Sequence, residues 1–271
     1  MSGQERRNPG NLAVEPGIVP GSRVSSLPDD IEMSNLVWSQ CRLAHPIGRN
    51  RLKSYLEDCN GCLKKALVLY DWNTRASAAI MQTIAMVEVI CRNAFDRELT
   101  IWAQNRNYQS WFDSAPLDNQ AISDISKATR RATQKGFSVD SHGGTIAELT
   151  FGFWRYLAAP RYHSSLWVPQ LHNAFPFGHA DLRERRIQVE KYLTRLNLVR
   201  NRSAHHEPIH RRNLLHDYET AVELVSWISP DAGAWVAARS MIPQVVAEKP
   251  SYPPDMRCEP LRYGQGNELG R

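Results

Sequence analysis

Between residues 80 and 102 the apolar side chains Ile80, Ile84, Val87, Cys91, Ala94, Phe95, Leu99 and Trp102 recur every three or four positions. Side chains so spaced share one face of an α-helix, and a stripe of this length must be covered by other elements. No stretch of the sequence alternates apolar and polar residues as a half-buried strand does, and no internal repeat is present. The covering elements are therefore expected to be helices, and the spacing predicts an all-α bundle around one long helix.

The rest of the chain supplies those partners. A short helix around Arg51 to Asp58 leads into the long one, which starts near Cys62. Another is expected from about Asp118 to Lys135, with Gly136 at its C-cap. Gly143-Gly144 opens a helix running through Thr145 to Leu157 and stopped by Pro160, and a shorter one spans Ser164 to Ala174. A basic helix from about His179 to His205 turns Leu182, Val189, Leu193, Leu196 and Val199 inward and is ended by Pro208. A final pair, Leu214 to Ile228 and Asp231 to Ser240, closes the bundle. Residues 1–34 and 247–271 are rich in Pro and Gly and lack periodicity, so they are predicted to be disordered tails flanking one helical domain at 35–246.

With 42% apolar residues and eight Trp in 271, the chain can build a real core, while a mean hydropathy of −0.46 suits a soluble protein. The first 30 residues lack the apolar block of a secretory signal. The run from Ala76 to Ile90 is interrupted by Gln82 and Glu88 and is shorter than a membrane span. The expectation is a cytoplasmic protein with no membrane partner. Five cysteines make no evident disulfide framework, Cys59-x-x-Cys62 has no second CxxC beside it, and Cys91 reads as core.

Residues 179–212 hold nine Arg or Lys against four acids, so this segment alone carries the chain's net charge of +5. A basic helix of this kind suits a polyanion such as RNA. Within it, Arg186 and Glu190 are expected to be an ordinary exposed i, i+4 pair, with Arg183 also on the solvated face.

That helix ends in Leu-Val-Arg200-Asn201-Arg202-Ser-Ala-His205-His206-Glu-Pro. Arginine offers a fixed fork of donors for a phosphate, and histidine can take and return a proton near neutrality. Cleaving RNA without a metal needs both: a base for the 2′-hydroxyl and a cation for the crowded phosphate. Asn201 and His205 are i, i+4 neighbours, with Arg200 about 100° round from Asn201. The alternative is a helix terminus whose Arg and His merely suit the dipole. His206 points to a different face from His205 and reads as an RNA contact or a supporting group. His206, Glu207 and His210 have the makings of a metal set, but Pro208 interrupts the helical spacing. Glu88 and Arg92, one turn apart beside the apolar stripe, form an intrahelical pair that, with Asn93, could orient the site. No Walker loop, dinucleotide fingerprint, GxSxG or EF-hand pattern occurs.

Arg-Asn-x-x-x-His resembles the signature of the HEPN superfamily of α-helical ribonucleases. The surrounding wording is similar to its Abi-like (abortive infection) branch, in three ordered blocks. These are Leu69-Tyr70-Asp71-Trp72-Asn73 followed by Val87-Glu88-Val89-Ile90-Cys91-Arg92-Asn93-Ala94, then Leu149-Thr150-Phe151-Gly152-Phe153-Trp154-Arg155-Tyr156-Leu157, then the Arg200 block. The likeness covers roughly residues 50 to 230. It implies a HEPN-like bundle acting as an endoribonuclease in antiviral defence or as a toxin, with no cofactor and no metal. Arg200, Asn201 and His205 would be catalytic. Arg202, His206, Glu88, Arg92 and Asn93 would support the site or bind RNA. It also implies a homodimer with a composite cleft and a possible antitoxin partner. The alternative is a non-catalytic RNA-binding or regulatory HEPN protein in a toxin complex.

Overall fold

The computed structural model describes residues 40–136 and 141–252, and all regular structure among them is helical. Helices α1 (Gln40–Ile47) and α2 (Arg49–Asp58) precede α3 (Leu63–Gln104), a helix of 42 residues that forms the axis of the molecule. The stripe read from the sequence is its buried face: Ile80, Ile84, Val87, Cys91, Ala94, Phe95, Leu99 and Trp102 are all buried. By length and composition α3 also meets the condition for a membrane span, which the interrupted run at 76–90 does not suggest. Its buried side nonetheless packs on α2, α8, α9 and α11.

Helices α4 (Trp111–Ser114), α5 (Asn119–Gln134), α6 (His142–Glu148) and α7 (Phe151–Leu157) follow. Asp118 caps α5 by accepting from the Ala121 amide at 3.0 Å, and Gly136 leaves it at φ 89°. The single helix expected through Thr145 to Leu157 is two. Thr150 stands between them as an N-cap whose hydroxyl accepts from the Phe153 amide at 3.4 Å. The helix expected over 164–174 is a run of short 3₁₀ and π turns, Pro160–Tyr162, His163–Trp167 and Leu171–Ala174.

Helix α8 (Leu182–Ala204) starts at Asp181, whose carboxylate accepts from the Glu184 amide at 2.8 Å. It lies against α3, α7 and α9 (Leu214–Ile228). Helix α10 (Pro230–Arg239) crosses α9 closely: a Cβ added at Gly233 would meet the Ser226 Cα at 2.9 Å. Helix α11 (Ile242–Ala247) returns to α3. The Trp72 indole donates to the Val245 carbonyl at 2.7 Å, and Lys249 to the His210 carbonyl at 2.6 Å. The predicted tail therefore does not begin at 247, since the chain is docked through Tyr252, whose hydroxyl donates to the Lys65 carbonyl at 3.2 Å. The other predicted tail, 1–34, and residues 253–271 lie outside the described residues. The core gathers Trp72, Trp111, Trp154 and Trp167, with Phe151, Phe153 and Trp154 inside it rather than free to stack on a ligand.

Candidate functional site

The expected site lies where α8 ends beside α3 and the start of α7. Helix α8 closes with Ala204, and His205 is its C-cap. His206 then adopts φ 55°, the left-handed conformation usually given to glycine. Its amide bonds the Ser203 carbonyl at 3.1 Å and the Glu207 amide bonds the Arg202 carbonyl at 2.8 Å, the paired closure of a Schellman motif. The helix is thus stopped by a backbone reversal at His206, before Pro208 can act. The Arg51 guanidinium donates to the His206 carbonyl and ties this turn to α2.

Arg200 is half-buried and faces inward. Its Nη1 lies 3.4 Å from Asn201 Oδ1, and its Nε is buried without a hydrogen-bond partner. Across from it on α3 stands Glu88. Burial pushes the Glu88 carboxyl up from its ordinary range, while Arg200, Arg92 and the Phe151 amide at the start of α7 pull it back. Arg92 likewise has a buried, unpartnered Nε. Among the described residues neither arginine closes an ion pair with Glu88, so the intrahelical Glu88–Arg92 salt bridge expected from the spacing does not form. Two guanidiniums around one half-buried carboxyl leave an excess of positive charge whose donors are incompletely used.

His205 is exposed, and its ring has no partner among the described residues. It stands five positions after Arg200, about 140° round the axis were α8 extended to it. The structure brings Arg200, Asn201, Glu88 and Arg92 together, while among the described residues His205 makes no side-chain hydrogen bond or ion pair with them. His205 shares a face instead with Leu198, which is 51% exposed. Asn93 and the His206 ring are exposed as well.

Arg202 is engaged in the turn itself: its Nη2 donates to the Pro208 carbonyl at 2.9 Å and its Nε is 3.3 Å from Glu207. Much of the basic segment is used in the same way. Arg185 donates to the His179 and His172 carbonyls. Arg186 is buried, not solvated, donating to the Ala158 carbonyl at 2.6 Å as well as to Glu190. Arg195 and Arg212 converge on buried Asp217, and Arg211 on Asp58 and Glu57. The charge that looked like a stripe for a polyanion is largely internal. Among the described residues it leaves Arg183, Arg185, Lys191 and Arg200 with no carboxylate at ion-pair distance, and of these Arg185 is held by the two carbonyls.

The metal set does not assemble. His206 and Glu207 are exposed, whereas His210 is buried against the Tyr55 ring at 4.5 Å with Asp58 2.9 Å from its Nε2. Among the described residues no three His, Cys, Asp or Glu side chains are grouped to hold a metal. In the CxxC, Cys59 is a free thiol while Cys62 is disulfide-bonded, so the two do not form one metal or redox pair.

One polar cluster had no signal in the sequence. Asp96 on α3 accepts from the Trp111 indole at 2.8 Å and lies 2.8 Å from His142 Nε2. Asp96 lines an open cleft of about 540 Å³, and His142 lines both this cleft and a second of about 760 Å³, with which it also shares Gln109 and Ser110. The partners are 15 and 46 residues from Asp96, beyond the reach of any local pattern. No protein-family model, curated protein or solved structure matches this chain.

Proposed function

We propose that the chain is a metal-independent endoribonuclease of HEPN type, acting in abortive infection or as a toxin, and resembling the Abi-like branch. The observation that carries this reading is the pair Arg92 and Arg200 around Glu88. It supplies two half-buried guanidiniums with no carboxylate at ion-pair distance, a charge suited to a phosphate, and Arg200 lies on the helix that ends in the exposed His205.

In this reading Arg200 holds the phosphate and stabilises charge growing on its oxygens. Asn201 orients the guanidinium through the 3.4 Å contact already present. A neutral His205 takes the proton from the 2′-hydroxyl, whose oxygen attacks the adjacent phosphorus, and the 5′-oxygen leaves with a proton from a water, whose hydroxide is neutralised by the His205 imidazolium. The products are a 2′,3′-cyclic phosphate and a 5′-hydroxyl. In the homodimer that the resemblance implies, two motifs face one composite cleft, and the base serving an Arg200 comes from the second copy. Exposed Leu198 beside His205, and exposed Val89 on α3, give the two copies apolar contact near the site.

A second reading, a non-catalytic RNA-binding or regulatory protein, draws support from His205 itself, which has no carboxylate or carbonyl to orient its ring among the described residues. Mapping RNA ends after brief induced expression, and repeating cleavage in vitro with a chelator, separates the two. Cyclic-phosphate ends formed in the presence of EDTA support the nuclease. Binding without cleavage supports the second reading, and cleavage abolished by EDTA overturns the metal-independent mechanism.

A further inference from the structure

Glu88, Arg92 and Asp96 follow one another at four-residue intervals, a single stripe along α3. The segment from His142 to Phe151 runs antiparallel beside it: the Phe151 amide meets Glu88 at one end and His142 meets Asp96 at the other. Glu88 and Asp96 are therefore about 12 Å apart along α3, and Arg92 about 6 Å from Asp96, at a rise of about 1.5 Å per residue.

The cleft chemistry differs from that of the arginines. No cation lines the larger cleft, of about 760 Å³, and its walls are Gln109, Asp113, Ser126, Thr129, Ser141 and Thr145 around the Phe112 and His142 rings. Those rings are stacked, with centroids 4.7 Å apart. Asp96, already fixed by the indole N–H, takes up Nε2 of His142, and Nδ1 of that ring has no partner among the described residues. Asp113 and Gln109 are exposed and have no side-chain partners among the described residues. The Asp113 carboxylate repels a phosphate but accepts from an exocyclic amino group, and aromatic rings offer a face to a base.

We propose, resting on the RNA reading of the Arg200 site, that this cleft binds an amino-bearing nucleobase of the same single strand, a few nucleotides from the phosphate at Arg200. Asp113 accepts from the exocyclic amine, and the Phe112–His142 pair packs against the ring. Cytosine and uracil differ at one position as amine against carbonyl, so the cleft discriminates between them.

The test measures binding of 2′-O-methyl oligocytidine and oligouridine to the full chain, since neither can be cleaved by 2′-hydroxyl attack. Oligocytidine should bind about tenfold tighter, the scale of one good base-edge contact. Asp113→Asn, an isosteric change at an exposed position, should bring the two within about twofold. His142→Gln should narrow the preference by a second route. Equal binding of the two oligomers, absence of binding, or a preference surviving both substitutions overturns the proposal. Cleavage of ordinary RNA is scored separately. A wild-type chain that cleaves without cytidine preference loses the cleft but keeps the nuclease, and one that binds oligocytidine without cleaving RNA does the reverse.

Discussion

Asp58 Oδ2 lies 2.9 Å from Nε2 of His210, joining the end of α2 to the turn that follows α8. The imidazole is 2% exposed, and burial holds its pKa below the ordinary histidine value despite the carboxylate beside it. The sign follows from linkage. Above the unfolded value of about 6.5 both states are neutral, and below it the unfolded chain takes up the proton first. Stability should therefore fall as pH drops from about 6.5 toward the depressed folded value. Asp58 acts lower: hydrogen bonds from Arg211 lead in holding its carboxyl below the usual range, so its contribution is lost only in acid. Thermal midpoints at pH 7.5 and 5.5 should converge for His210→Phe, which keeps ring packing on Tyr55. An unchanged drop in that variant assigns the acid limb to other groups.

Asp217 should be the costliest single carboxylate to remove. Its side chain is fully buried, with Arg195 Nε at 2.6 Å and Arg212 Nη2 at 2.8 Å. Asp217→Ala strands two guanidiniums that are themselves mostly covered, which should cost about 3 kcal/mol. Glu248→Ala removes the exposed partner of Arg75 and should cost less than about 1 kcal/mol. Denaturant midpoints compare the two directly, and similar losses would show that the Asp217 cluster is not structural.

How much of this was legible depends on the range over which each feature is encoded. The α3 stripe and the Asp118 and Gly136 boundaries are local, and the sequence shows them. The break at Thr150 is also local, but Leu149 and Phe151 carry apolar character straight across it, so a helical reading runs through. Arg186 reads as a solvated i, i+4 partner because Glu190 is near in sequence, whereas the Ala158 carbonyl that buries it is 28 residues away. The site splits in the same way. Arg200, Asn201 and His205 are visible as a string, but which way each faces depends on α3 and α7. Gly is the usual sign of a left-handed helix end, and its absence at 206 hides the reversal that ends α8.

That reversal yields a test of the two neighbouring histidines. Glycine at 206 relieves the left-handed backbone at the expense of unfolded-state entropy, for a net gain of roughly 0.5–1 kcal/mol. His206→Gly should raise the thermal midpoint and keep RNA cleavage, because its ring is not the base. His206→Ala should lower stability with the same activity. Loss of cleavage in both, with the fold intact, would transfer the base from His205 to His206.

The most discriminating prediction uses Arg200 and His205 together. Arg200→Lys keeps the charge beside Glu88 but loses the planar fork, so it should bind RNA nearly as wild type and cleave about 10²-fold more slowly. His205→Ala, at an exposed position, should fold and bind but show no turnover, since the general base is gone. The composite cleft adds a stricter requirement. If each cleft takes Arg200 from one copy and His205 from the other, a mixed dimer of Arg200→Ala and His205→Ala chains has one cleft with both groups intact. Random exchange makes half the dimers mixed, each with one working cleft of two, so the mixture should recover about a quarter of the wild-type rate. A site built within one copy cannot be rescued in this way, because every chain lacks one of the two groups. Recovery on mixing, scored against each variant alone at the same total concentration, would place the base and the cation on different copies. Two inactive variants whose mixture stays inactive, while both remain folded and dimeric, would remove the composite cleft. Full activity in either variant alone would remove the nuclease assignment to these residues.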